Sequence, residues 1–512
     1  MSPLPTAPQI EPCAFYEHSA QSIIPHLAGQ MPYASPVLRR IQHSLSYPSP
    51  TAKILATFPP GSAPGCISES ATSSAPATAV PSANLRSTSG SGSVPSSPSP
   101  WLAAHVDLFR GRETQIIVYS SLEAECTLLP QINPVADSIS PSAVSRYLGL
   151  DTSANPVKAD KFNKEHPSLT TDTHTSEASS GNAPLIPKYA VASLSTDSSR
   201  LESAQHQLLS LLSHLKTHLL PEYLSSLSNG DSSEATASSS ASTPMVVATT
   251  MTNEASSSSA AGASLIPPPD PRAFLIGTLH TGLFELLLES GKYPRLNLGG
   301  DIIHSSDPDP IPGLRIHRFD NPPYYKYYFP RAKFSPQGKA DIETPLPSGY
   351  RYHDRRGRRG VLPFQLDLVQ SRTIIPRPRR QLLTLPSVAI YHDDGTASSA
   401  RDMTEGSADD EMPIAWAFLG VDGAVATLFV EPDHRGRGLA LALSMETMRK
   451  GMSPDGVFGA KQAGVMDERT VEAVEGWVHA EVAGFNWASR RVMEKIGGEV
   501  LTTAIWTIIE VL

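Results

Sequence analysis

The chain is 512 residues long, contains 47 prolines and carries a formal net charge of −9, with an isoelectric point near 6.0. An acidic balance of this kind argues against nucleic acid as a general partner, which would call for a basic surface. Cys13, Cys66 and Cys126 are odd in number and far apart. They form neither a disulfide framework nor a metal-binding spacing, so a reducing compartment and no metal are expected.

No apolar run is long enough to cross a bilayer. The opening stretch MSPLPTAPQIEPCAF lacks a basic segment followed by an apolar one, so no secretory signal is read there. An intracellular location, cytoplasm or nucleus, is the expectation. Tracts rich in Ser, Ala, Thr and Pro at about 68–100, 165–183 and 228–264 bury too little apolar surface to offset a backbone entropy of about 1–2 kcal/mol per residue. They read as disordered linkers within an N-terminal lobe at 31–380. A disordered tail at 1–30 precedes it, and a denser domain at 381–512 follows.

Residues 35–45 place apolar side chains at helical spacing, and 53–58 (KILATF) read as a short strand or helix end. Strand-like runs at 104–109 and 115–120 flank Arg110-Gly111-Arg112-Glu113, a hairpin signal. Leu201, Ala204, Leu208, Leu211, Leu212, Leu215 and Leu219 follow helical spacing, and Pro221 should break or kink that helix. Asp270-Pro271 supplies an N-cap acceptor and a proline at N1, which predicts a helix through the apolar run 274–288. The aromatic stretch NPPYYKYYFP at 321–330 reads as a loop packed on the body, or alternatively as one facing a substrate. The basic runs 350–359 and 377–380 read as solvated loops rather than nucleic-acid or import signals.

From 385 onward the pattern tightens. Strands are predicted at 387–391, 413–419, 424–430, 476–483 and 499–511, with helices from about 438 and over 486–495. Between the third of these strands and its helix lies Arg435-Gly436-Arg437-Gly438-Leu439-Ala440. A helix N-terminus offers unpaired N–H groups and a partial charge of roughly +0.5. Gly436 and Gly438 let the backbone turn sharply and approach an anion, Ala440 keeps the first turn bare, and two arginines add charge. The stretch is an anion nest suited to phosphate. The equally basic RRGRRG at 355–360 runs into Val361-Leu362-Pro363 and has no helix to follow.

Arg-x-x-Gly-x-Ala in a strand–loop–helix setting resembles the acyl-CoA pyrophosphate loop of the GNAT superfamily of N-acetyltransferases. A second block strengthens the likeness. In GFNWASRRVMEKIGGEV, Asn486, Ser489 and Glu494-Lys495-Ile496-Gly497 match the later GNAT pattern, with Gly498 in place of the usual aromatic. The run over 385–512 is also similar to the glycine N-acyltransferase-like branch. The resemblance implies an α/β (α+β) GNAT fold: a mixed, centrally splayed sheet flanked by helices, joined to an N-terminal lobe interrupted by disordered low-complexity insertions.

It further implies an acyltransferase with acetyl-CoA as co-substrate and a small-molecule or peptide amine as acceptor. Leu428, Phe429 and Val430 would hold pantetheine and the thioester through backbone groups. Arg435, Gly436, Arg437, Gly438, Leu439 and Ala440 would hold the diphosphate, and Asn486 and Ser489 would lie along the CoA arm. Two departures touch the chemistry. Met493 stands where many members have a tyrosine acid, and Ala424 where some have a glutamate base. Glu481 and His479, on the strand leading to Asn486, are the nearest candidate bases. These departures leave open a catalytically weak or inactive acyl-CoA-binding module, and the Ser-rich tracts leave open an interaction scaffold.

Overall fold

The computed structural model describes residues 13–62, 64, 98–110, 113–130, 190–194, 196–230, 272–290, 311–320, 322–334, 343–373, 377–393, 411–461, 464 and 467–512. The linkers expected at about 68–100, 165–183 and 228–264 fall outside these residues except at 98–100 and 228–230. Elements are numbered along the chain.

A sheet of thirteen strands organises the described residues. In spatial order it runs β1 (Tyr16–Glu17), β2 (Lys53–Ala56), β3 (Leu102–Val106), β4 (Ile116–Ser120), β7 (Ala273–His280), β15 (Glu499–Val511), β9 (Tyr324–Pro330), β14 (Trp477–Ala483), β13 (Ala424–Val430), β12 (Ala415–Leu419), β11 (Ser387–His392) and β10 (Tyr350–Arg351). Beside β15 lies β8 (Leu314–Phe319), while β5 (Cys126–Pro130) and β6 (Ala190–Leu194) form a separate pair.

One plan is used twice. In the first half β2, β3 and β4 are antiparallel. Helices α3 (Ser198–His214) and α4 (Leu220–Gly230) follow, and β7 then returns parallel to β4. In the second half β11, β12 and β13 are antiparallel, α8 (Leu439–Gly451) follows, and β14 returns parallel to β13. Each parallel pairing lasts two residues, Ile116 and Ile117 with Ile276 and Gly277, then Ala424 and Val425 with His479 and Ala480. Beyond those pairs the strands part.

Helices cover both faces. The helices α1 (Ala20–Ala28) and α2 (Ser35–Ser46) bury Ile23, Ile24, Leu27, Val37, Leu38 and Ile41 against Ala103, Ile117 and Tyr119. On the opposite face α3 and α5 (Thr281–Ser290) close a core with Leu102, Ala104, Ile116 and Ile276. Further along, α8 and α10 (Trp487–Ile496) bury Met448 and Met493 against Tyr325, Tyr327, Phe329, Val478 and Ala480. The remaining helices are α6 (Leu366–Arg372), α7 (Arg379–Leu382) and α9 (Glu468–Glu475).

Several expectations are corrected. Of the tail expected at 1–30, residues 1–12 lie outside the described residues and the rest is ordered, because α1 has a Ser19 cap and an apolar face that meets α2 and the sheet. The helix predicted over 274–288 is a strand, β7, followed by α5. The run is buried between β4 and β15, and that non-local pairing outweighs the local cap signal. The aromatic stretch is no loop. It is β9, paired along its whole length with β14 and along much of it with β15. Pro221 breaks nothing, since a π turn at Leu215–Leu219 carries the helix into α4, where proline sits in the first turn. Because β9 lies between β14 and β15, residues 381–512 do not close a sheet of their own.

The basic run at 350–359 is largely neutralised: Arg351 pairs with Asp393 and Glu411, Arg358 with Asp354, and Arg359 with Glu343. No helix among the described residues is long and apolar enough to cross a membrane.

Candidate active site

The arginine–glycine loop lies where β13 hands over to α8. Gly436 and Gly438 have φ of 77° and 81°, the left-handed region that glycine enters without strain. Gly438 is the N-cap of α8, and no side chain caps the helix. Among the described residues, the N–H groups of Gly436, Gly438, Leu439 and Ala440 meet no acceptor. A Cβ at 436 or 438 would find nothing within 4 Å, so the helix mouth is open. The decoy loop contrasts with it. There Asp354 Oδ1 accepts from the N–H groups of Arg356 (2.9 Å) and Arg358 (2.7 Å), so a carboxylate of the chain already fills that nest. The matching helix of the first half, α3, is likewise closed by Asp197, whose side chain accepts from Arg200 N–H. One of the two halves thus presents a free helix mouth.

Next to this mouth lies the parting of β13 from β14. A bulge falls between the β12–β13 pairs Phe418–Ala426 and Trp416–Phe429. Inside it Thr427 takes φ of 52°, costly for a β-branched residue and typical of backbone held in place by its surroundings. The bulge bends β13 just after its last pair with β14. Glu431 N–H donates to Ile414 O (2.8 Å) across β12. By alternation the backbone groups of Phe429 also face β12, and those of Leu428 and Val430 face the gap. Phe429 is therefore not a gap-facing backbone contact. Its ring stacks on Trp416, with centroids 5.0 Å apart, and the Arg435 guanidinium lies 5.7 Å from its centroid. Val430 O already accepts from Arg435 Nε (3.0 Å), which leaves its N–H and the groups of Leu428 for a ligand.

The later block folds as a cap. Asn486 Oδ1 accepts from Ser489 N–H (3.1 Å) and closes the start of α10. Both residues sit at that helix mouth, but the side-chain oxygen of Asn486 is committed to the cap. Met493 is buried in the core under α10.

Glu481 and His479 are brought together. Ligating atoms of Asp422, His479 and Glu481 all lie within 4.8 Å of one another. His479 is fully buried, and neither ring nitrogen has a partner. Burial, Lys326 and Arg39 push its pKa well down, so the ring is neutral. Glu481 accepts from Thr278 Oγ1 and from Trp506 Nε1 (3.4 Å), and it lies 3.7 Å from Lys326 Nζ. Burial raises its pKa despite the ammonium. Two nearby cations, Lys326 and Arg39, oppose a divalent metal among these three residues.

Sequence reasoning did not find Thr278, Lys326 or Asp422. Lys326 sits opposite Glu481 in the β9–β14 register, a pairing no local signal carries. Arg39 was also missed. Its buried guanidinium donates to Phe458 O (2.6 Å), Val474 O (2.6 Å) and Trp477 O (2.7 Å), tying α2 to the second half.

Residues 9–327 match the family model described as the acyl-CoA N-acyltransferase verG N-terminal domain. The chain belongs to this family. The match ends within β9, the strand that the first half lends to the second. No curated protein sequence matches the chain. Three solved structures are similar in part. A Drosophila protein from structural genomics shares 14% identity over 47% of this chain and 61% of its own, with a TM-score of 0.28. A GNAT-family protein from Novosphingobium aromaticivorans shares 15% over 39% and 69%, at 0.22. A GCN5-related N-acetyltransferase from Kribbella flavida shares 12% over 39% and 60%, at 0.22. The chain thus spans about 61% of the first of these structures. Superpositions this partial carry no weight here; the mixed α/β architecture stands on the strand order itself.

Proposed function

We propose that the chain is an acyl-CoA-dependent N-acyltransferase that moves an acetyl group from acetyl-CoA to an amine by direct attack. The observation that carries this reading is the open mouth of α8, where four amides on a left-handed glycine turn have no acceptor among the described residues, beside two strands that part after two pairs. Membership in an acyl-CoA N-acyltransferase family supports it.

The amides from Gly436 to Ala440, with Arg437, would receive the diphosphate. Pantetheine would lie in the gap, and the N–H of Leu428 or Val430 would steady the oxyanion as the amine adds. Holding amine and thioester in attack geometry supplies up to about 7–11 kcal/mol of the barrier. Glu481 or His479 would take the amine's proton.

A second reading, an acyl-CoA-binding module without turnover, is favoured by one observation: Glu481 is already engaged by Thr278, Trp506 and Lys326. Incubation of the full chain with acetyl-CoA and a metabolite extract, followed by mass spectrometry, separates the two. Acetylated amines with CoA release are expected. Tight acetyl-CoA binding without product would favour the module.

A further inference from the structure

On the sheet face that carries Glu481 and His479, three strands converge on polar groups that lack partners. Among the described residues, Tyr328 Oη, His280 Nε2 and both ring nitrogens of His479 find no hydrogen-bond partner. All three residues are fully buried. They come from β9, β7 and β14. Lys326 stands among them, donating to Thr278 O (3.2 Å) and lying 3.7 Å from Glu481 Oε1. Burial and this ammonium keep His280 and His479 uncharged. A second carboxylate, Glu123, comes from the turn after β4. It is 2% exposed, and its Oε1 accepts from Ser120 N–H (3.0 Å). Lys326 and Glu481 both lie within its electrostatic reach.

A buried hydroxyl or imidazole without a partner costs about 1–3 kcal/mol, and native proteins leave few of them. Among the described residues nothing meets these four atoms, which lie on one side of one sheet, and an incoming substrate would. Their location says which. Ala480 is the last β14 residue paired with β13, so Glu481 borders the closed end of the gap. An acyl-CoA gripped at the mouth of α8 enters from the open end. The second substrate must then arrive from the closed end. Of the three carboxylates there, Asp422 accepts from Ala424 N–H (3.2 Å) and Glu481 is matched by Lys326, while no ion pair of Glu123 is present among the described residues.

We propose that these groups form the acceptor subsite of the N-acyltransferase reading, on which this inference rests, and that it takes a compact polar amine. Hydroxyl or carbonyl groups of the acceptor meet Tyr328, His280 and His479, and its ammonium meets Glu123. Burial pushes the Glu123 carboxyl up to about 7, the range in which a carboxylate exchanges protons usefully near neutrality. The acceptor's ammonium gives one proton to Glu123, which takes the base role in place of Glu481, held by Thr278, Trp506 and Lys326, and of His479. The free amine then forms the N–C bond as the C–S bond breaks, and the departing thiolate takes the second proton from nitrogen.

The test measures CoA release by the full chain from acetyl-CoA with matched amines, ethanolamine against propylamine. The hydroxyl-bearing amine should lead by about tenfold in kcat/KM. Tyr328→Phe should erase that lead without lowering the melting temperature or changing the KM for acetyl-CoA. Glu123→Gln keeps the Ser120 bond through its amide oxygen. It should cut acceptor kcat/KM about tenfold while acetyl-CoA affinity by calorimetry stays unchanged. An active wild type whose variants keep its acceptor kinetics overturns this inference alone. A wild type that binds acetyl-CoA but acylates no amine overturns the transferase reading and this inference together.

Discussion

A side chain at position 438 faces two separate penalties. The backbone there holds φ of 81°, so any β-carbon is strained, although it would touch nothing within 4 Å. Gly438→Ala should therefore cost about 1 kcal/mol of stability in urea denaturation and leave the fold intact. Gly438→Asp adds a negative charge to the helix mouth and should weaken acetyl-CoA binding by about a hundredfold in calorimetry. An unchanged affinity would show that this mouth holds no anion.

Buried titrating groups fix the pH response at the same scale. Burial lowers His43 and His280 to about 3 from an ordinary 6.5. Between those values the unfolded chain binds protons that the native chain refuses, so stability is present above 6.5 and is lost as pH falls toward 3. Glu123 acts in the opposite sense. Its folded value of about 7 lies above the ordinary 4.5, so the native chain holds a proton that the unfolded one has released, and stability falls as pH rises from 4.5 through 7. The urea midpoint should fall on both sides of an optimum in the mildly acidic range. Glu123→Gln should lessen the decline above the optimum, by about 3 kcal/mol at most; the buried Glu481, also raised, contributes to it in the same sense. A midpoint that keeps rising through pH 8 in the wild type would contradict this.

At the scale of elements, the bulge in β13 decides the site. Thr427 carries positive φ at the bulge that starts the gap. Thr427→Gly relieves that strain and should stabilise the chain by up to about 1 kcal/mol, while a comparable loss would mean that β13 is straight there. This element was legible in the sequence because its signals are local. Pro432 ends the strand, two glycines shape the turn, and the helix follows at once. In the first half the helices at 35–46 and 198–214 and the antiparallel strands at 102–106 and 116–120 were legible for the same reason, but β7 and β9 were not. Residues 274–288 look like one capped helix until β4 and β15 close on their first half and make it a strand, and the tyrosine run at 324–330 is a strand only because β14 and β15 flank it. The bond from Thr278 to Glu481 joins residues about 200 apart, a relation that no window of sequence contains.

Across the whole molecule, two halves of one plan share a single sheet, and the first lends β9 to the second. The boundary expected at 381, where the pattern tightens, falls within one continuous sheet. A fragment spanning 381–512 lacks a central strand and exposes the facing edges of β14 and β15, so it should not unfold cooperatively by itself. Circular dichroism on the isolated fragment checks this, and a sharp thermal transition would contradict it. The two halves differ at their helix mouths: Asp197 caps one, and no side chain caps the other at Gly438.

The most direct test of the account compares CoA with pantetheine by titration calorimetry on the full chain. Pantetheine keeps the arm that lies in the gap and lacks the diphosphate. If the amides from Gly436 to Ala440 grip that diphosphate, CoA should bind at least about a hundredfold more tightly. Equal affinities, or no binding of CoA at all, would contradict the account.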